Sequence, residues 1–128
     1  MRPVVAVIDA DTTTRHMLRA LLSVLDVRVE LYDSAESFLA DSDAAPACVV
    51  IDARLPGMSG LQLLRQLRSG GDVPVILLAS EPDVPIAVEA MRHGATDFIE
   101  KSRMDVALLR RVSQIVRDHD ASPLGAPA

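Results

Sequence analysis

The sequence has almost no aromatic residues: no tryptophan, and only Tyr32, Phe38 and Phe98 among 128 residues. That leaves no platform on which nucleic-acid bases could stack. It has no basic stripe, and its net charge of -5 argues against direct nucleic-acid binding, which depends on neutralising many phosphates. The single cysteine, Cys48, lies inside an apolar run and reads as a buried structural thiol, so nothing implies an oxidising compartment. No apolar run approaches the roughly 18 residues that span a bilayer, and the N-terminus lacks a charged-then-apolar leader with a cleavage site. The chain reads as cytoplasmic, with no membrane contact. The three histidines, His16, His93 and His119, are not spaced as a metal set.

What is present is an alternation of short apolar runs with helical patterns. Val4 to Ile8, Val27 to Leu31, Ala47 to Ile51, Pro74 to Leu78 and Thr96 to Ile99 read as five strands. Separated by helices, they predict an α/β fold with a doubly wound parallel sheet. Met17, Leu18, Leu21, Leu22 and Leu25 form one apolar face of the first helix; Leu108, Leu109, Val112, Ile115 and Val116 form one face of the last. Asp33 with Glu36 resembles a capping box opening the second helix, while Gly70-Gly71 and Gly94 sit where helices should stop. One domain over residues 1–118 is expected, large enough to bury a core without staples. Residues 119–128, ending in "ASPLGAPA", read as a tail or the start of an interdomain linker.

The most informative stretch is "CVVIDARLPGMSG", Cys48 to Gly60. A buried strand there delivers Asp52 to its carboxyl end, where a proline and two glycines break the chain. "VVAVID" delivers Asp9 in the same way, and "ATDFIEK" ends at Lys101. Open α/β sheets keep their chemistry at the carboxyl ends of the strands. Two acids and a lysine at that edge point to a site that handles phosphoryl groups.

Together "VIDAD", "VVIDARLPGMSG", "DVPIAVEAM" and "HGATDFIEK" resemble the receiver domain of bacterial two-component response regulators, over about residues 3 to 117. The last two phrases are most similar to the nitrogen-fixation-type subclass. The resemblance implies a flavodoxin-like sheet of order 2-1-3-4-5 with five helices. It implies Asp52 as phosphoacceptor from a histidine kinase, Lys101 as the contact to the phosphoryl oxygens, and Phe98 as the switch aromatic. It also implies Mg²⁺ held by Asp9, Asp52 and the backbone carbonyl of Arg54. In-line phosphoryl transfer needs such a nucleophile, charge neutralisation and positioned donors.

Three departures fall inside that small site. The second of two adjacent acids, usually a metal ligand, is Ala10, with Asp11 as the stand-in; Asp11 is otherwise read as opening or capping the first helix. The switch hydroxyl position is Ala79, and Ser80, one residue late, should face the other way. Ser102 replaces a proline, so the Lys101-Ser102 peptide is expected to be trans with an altered loop, since a cis bond to serine costs about 3–4 kcal/mol.

The reading is therefore a receiver with a degraded Mg²⁺ and phosphate site, signalling with weak or no phosphorylation and regulating transcription through an attached or partner output domain. A conventional kinase-phosphorylated receiver, with Asp11 and Ser80 as stand-ins, is the alternative. Arg54 reads as an ordinary surface arginine, with a pairing to Asp52 in place of the metal as the alternative. A third reading takes "VVAVIDADTT" as the nucleophile motif of haloacid-dehalogenase-type phosphatases, with Asp9 as nucleophile, Asp11 as acid/base and Ser80 ending a second motif. It explains none of the later phrases, and the chain is not read as an enzyme. The resemblance further implies output, or a homodimer, through the fourth helix, fifth strand and fifth helix: Val84 to Arg92, Phe98 and the outer positions of Met104 to Arg117.

Overall fold

The computed structural model describes residues 2–81 and 83–121. Five parallel strands, β1 (Val4–Ile8), β2 (Arg28–Tyr32), β3 (Cys48–Asp52), β4 (Val75–Ala79) and β5 (Asp97–Glu100), form one sheet of order β2-β1-β3-β4-β5. Five helices connect and follow them: α1 (Thr12–Leu22), α2 (Ala35–Ala40), α3 (Gly60–Gly70), α4 (Val84–Arg92) and α5 (Met104–Ala121). This is the flavodoxin-like doubly wound fold that the sequence predicts. Strands 2 to 5 each sit one residue later than expected, so Asp52 closes β3 rather than following it.

Strand alternation divides the core into two layers. Val5, Val7, Cys48, Val50, Ile76 and Leu78 face α1 and α5, where they meet Leu18, Leu22, Leu108 and Val112. Ala6, Ile8, Val49, Ile51, Val75 and Leu77 face the other way and meet Phe38, Leu63, Leu64 and Ala90 from α2, α3 and α4. Burial pushes the Cys48 thiol up to about 12, which keeps it protonated and inert. The expected stripe of α5 is buried or half-buried throughout, but Met17 on α1 is 48% exposed, because only Leu18 and Leu22 of that helix reach full burial. Leu25 packs against the core from beyond the end of α1.

Helix ends show where local signals compete. The second helix is capped by Ser34, which accepts from the Ser37 N–H at 3.0 Å, and not by Asp33. Glu36, the other half of the expected box, instead accepts from the Met58 N–H at 2.9 Å and ties α2 to the loop after β3. Gly94 follows α4 at φ 89°, and the Gly94 and Ala95 N–H groups return to the Met91 and Ala90 carbonyls at 3.1 and 2.9 Å. That is a Schellman stop, which favours glycine at this position. The last helix runs through Ala121, three residues into the segment read as a tail; residues 122–128 lie outside the described part. Among the described residues no helix is long and apolar enough to cross a membrane.

Candidate functional site: an acidic cleft closed by a lysine

The register of the sheet builds the site. In the β1–β3 pair Ile8 lies beside Ile51, so the next residues, Asp9 just past β1 and Asp52 closing β3, come side by side at the sheet edge. This is also where the strand order reverses direction, the place at which doubly wound sheets open a crevice. On the other flank Ala79 pairs with Glu100, which puts Lys101 one residue past the end of β5. Gly60 brings α3 close: a Cβ there would lie 2.9 Å from the Ala53 Cα, and only glycine lets the helix start this near the end of β3. Ser59 and Gln62 cap that helix reciprocally.

Lys101 lies between the two carboxylates. Its Nζ donates to Asp9 Oδ2 at 2.8 Å and to Asp52 Oδ2 at 3.2 Å. The outer oxygens are also bonded: Asp9 Oδ1 accepts from the Asp11 N–H at 2.9 Å, and Asp52 Oδ1 accepts from the Arg54 N–H at 3.0 Å. Arg15 donates to the Asp9 carbonyl at 2.7 Å and braces the turn from below. The Asp9 side chain is 2% exposed, and Asp52 and Lys101 are 12% and 17% exposed. Buried carboxylates this close need a cation between them. Burial by itself would lower the Lys101 ammonium, but its hydrogen bond to Asp9 and the charges of Asp52 and Asp9 outweigh that, and its pKa is raised above the ordinary 10.5.

The other residues singled out from sequence are placed as follows. Asp11 does not enter the cleft: it caps α1, accepting from the Thr14 N–H at 2.9 Å and the Thr14 hydroxyl at 2.7 Å, bonds that hold its carboxyl below the usual range. Ala10 is exposed. Ala79 ends β4 in a buried position with no hydroxyl, and Ser80 lies past the strand, exposed. Phe98 is half-buried beside the α2, α3 and α4 layer. The Lys101-Ser102 peptide is trans, and Lys101–Arg103 form a short 3₁₀ turn. The Arg54 side chain, 77% exposed, pairs not with Asp52 but with Asp83 at 3.8 Å. Asp83 caps α4, accepting from the Ile86 N–H at 3.1 Å. The Arg54–Asp83 pair and the reach of Glu36 to Met58 were not visible in the sequence. A cap at Asp83 could have been found, since an acid followed within two positions by proline is a common helix start.

A Mg²⁺ ion entering the cleft would meet two carboxylates, Asp9 and Asp52, with Asp11 turned away onto its helix. The ion needs near-octahedral oxygen coordination. Here both inner carboxylate oxygens hold an ammonium, both outer ones hold a backbone N–H, and the neighbouring acid Asp11 is engaged on its helix. The phosphatase reading fares no better, because its nucleophile Asp9 is almost wholly buried and its acid/base Asp11 points to Thr14.

A parallel five-stranded sheet of this order, with two acids at its switch point and a lysine just past the last strand, defines a flavodoxin-like α/β domain. Residues 5–113 match the response regulator receiver domain, and the chain belongs to that family. It is 39% identical over 116 residues to the transcriptional regulatory protein FixJ of Bradyrhizobium diazoefficiens, covering 87% of this chain and 55% of that protein. It is 44% identical over 110 residues to the C4-dicarboxylate transport transcriptional regulatory protein DctD of Pseudomonas aeruginosa, covering 84% of this chain but 24% of that one. The chain thus spans about half or less of these relatives. Among solved structures it resembles a response regulator receiver protein from Pseudoalteromonas atlantica, with TM-score 0.82, 39% identity and coverage of 90% and 98% of the two chains. It also resembles the BeF3-activated DrrB receiver domain, with TM-score 0.84, 29% identity and coverage of 91% and 99%. The nitrogen-fixation-type likeness read from the sequence is therefore found among its relatives.

Proposed function

We propose that this chain is an atypical receiver. Asp52 holds the phosphoacceptor position, but phosphorylation is weak or absent because Mg²⁺ is short of one carboxylate and the phosphoryl group of one hydroxyl. The observation that carries this reading is Lys101 bound to Asp9 and Asp52 together, at 2.8 and 3.2 Å, in a cleft with no third carboxylate. An incoming phosphoryl group would have to draw Lys101 from Asp9, and at Ala79 it would find no hydroxyl donor. Asp9, Asp52 and the Arg54 carbonyl remain as a weak ligand set. A histidine kinase is the phosphoryl source if one is used. Otherwise a bound partner or ligand sets the balance of conformations by its different affinity for the two states.

Output runs through α4, β5 and α5. In support, Val84, Val88 and Met91 on α4 and Val106 on α5 are large apolar side chains, 71%, 49%, 50% and 62% exposed. Such exposure suits a second copy of the chain or an output protein. The identity to FixJ and DctD, both named as transcriptional regulators, supports transcription as the process served.

The test is intact mass after incubation with a small-molecule phosphodonor, with and without Mg²⁺, beside Asp52→Asn. No adduct, with the fold unchanged, is the expected result. A Mg²⁺-dependent single adduct that disappears in Asp52→Asn would sink the atypical reading and restore the conventional, kinase-driven receiver.

A further inference from the structure

Ala79 carries no hydroxyl, so another residue is needed if the charge in the cleft is to reach α4. Arg54 touches both ends. Its backbone N–H donates to Asp52 Oδ1 at 3.0 Å, and its guanidinium reaches Asp83 Oδ2 at 3.8 Å. Asp83 is the cap of α4: its Oδ1 accepts from the Ile86 N–H at 3.1 Å, and its carbonyl accepts from the Ala87 N–H at 2.9 Å. One residue thus touches Asp52 through its backbone and, through its side chain, the cap of the helix that carries the exposed apolar face.

We propose that Arg54 is a positioning residue whose guanidinium is shared between Asp83 and the negative charge at Asp52, so that the charge in the cleft sets how firmly the first turn of α4 is capped. More negative charge at Asp52 draws the guanidinium inward and loosens the cap; less releases it to Asp83 and tightens the cap. The guanidinium can serve both because the Arg54 side chain is 77% exposed and contacts Asp83 at the outer limit of an ion pair, a contact weak enough to exchange. The helix can respond because Ala90 is its one fully buried residue. This inference rests on Asp52 being the position where the cleft's charge changes, and it does not depend on how easily Asp52 is phosphorylated.

The test is amide hydrogen exchange at Ile86 and Ala87 in the wild type, Asp52→Asn, Arg54→Ala and the double variant. Asp52→Asn should slow exchange there and Arg54→Ala should speed it, each by about two- to fivefold as suits an exposed pair. In the Arg54→Ala background Asp52→Asn should change nothing at these amides. Asp83→Asn keeps a capping side chain but removes the charge, and should erase the coupling in the same way. Arg54→Lys should restore part of it. An Asp52→Asn effect of equal size with and without Arg54 would overturn the proposal, as would unchanged exchange in Arg54→Ala. A Mg²⁺-dependent phosphoryl adduct would remove the atypical reading of the site and leave this coupling to be judged on the exchange data alone.

Discussion

The acidic cleft and helix α4 are neighbours held by different forces. In the cleft every carboxylate oxygen of Asp9 and Asp52 accepts a hydrogen bond, and of the strands that deliver them β3 is buried from end to end and β1 from Val5 onward. Helix α4 buries Ala90 and turns Val84, Val88 and Met91 outward. It is secured mainly at its ends, by the Asp83 cap at one and by the Gly94 stop, with Arg68 donating to the Gly94 carbonyl, at the other. The difference separates a rigid place that holds charge from a lightly held element that can shift without opening the core. A receiver needs both.

The comparison is broken most severely by emptying the rigid side. Ile51, fully buried just before Asp52, should lose about 2–5 kcal/mol on replacement by alanine, read by urea unfolding. A loss under about 1 kcal/mol would show that the strand end is as loosely packed as α4.

Removing the cleft's cation comes next. Lys101→Met leaves two buried carboxylates facing each other and should cost roughly 2 kcal/mol at neutral pH, less than a fully enclosed pair because the cleft opens to water. An unchanged midpoint at neutral pH would mean that Lys101 does not hold the cleft together.

The same lysine gives a pH signature. Its pKa is raised in the folded protein, so its contribution to stability is complete below about 10.5 and is lost as pH rises through the higher folded value. Thermal melting of the wild type should therefore decline on the alkaline side by a component that Lys101→Met lacks. Parallel alkaline profiles would contradict the ion-pair geometry.

The smallest effect is expected on α4. Val88→Ala should change stability by no more than about 0.5 kcal/mol, yet weaken any self-association measured by sedimentation. A large loss of stability there would place the helix with the core and remove the contrast.

Much of this is legible in the sequence. The strands announce themselves because a parallel sheet covered on both faces requires unbroken apolar runs, and Cys48 to Ile51 or Val75 to Leu78 have no other explanation. Where each strand ends was less legible: Asp52 looks like a residue after the strand because it is charged, but it remains paired beside Leu78 in β4. The second helix shows the same limit. Asp33-x-x-Glu36 and Ser34-x-x-Ser37 both look like starts, and the choice was settled by Met58, 22 residues away, whose N–H takes the Glu36 carboxylate. Met17 has the right period for the core but lies on the margin of the α1 stripe, since periodicity shows which side of a helix is apolar and not how far the sheet extends beneath it.

The sequence by itself determined the class of fold, its layers and the residues brought to one edge, because apolar period and strand-end acids are local properties of the chain. Only the tertiary structure decided what those residues do to one another. Whether Asp11 joins the cleft or caps its helix, whether Arg54 meets Asp52 or Asp83, and which oxygens Lys101 occupies depend on distances between segments up to 92 residues apart. Charge and hydrogen-bond energies follow those distances, and no spacing along the chain encodes them.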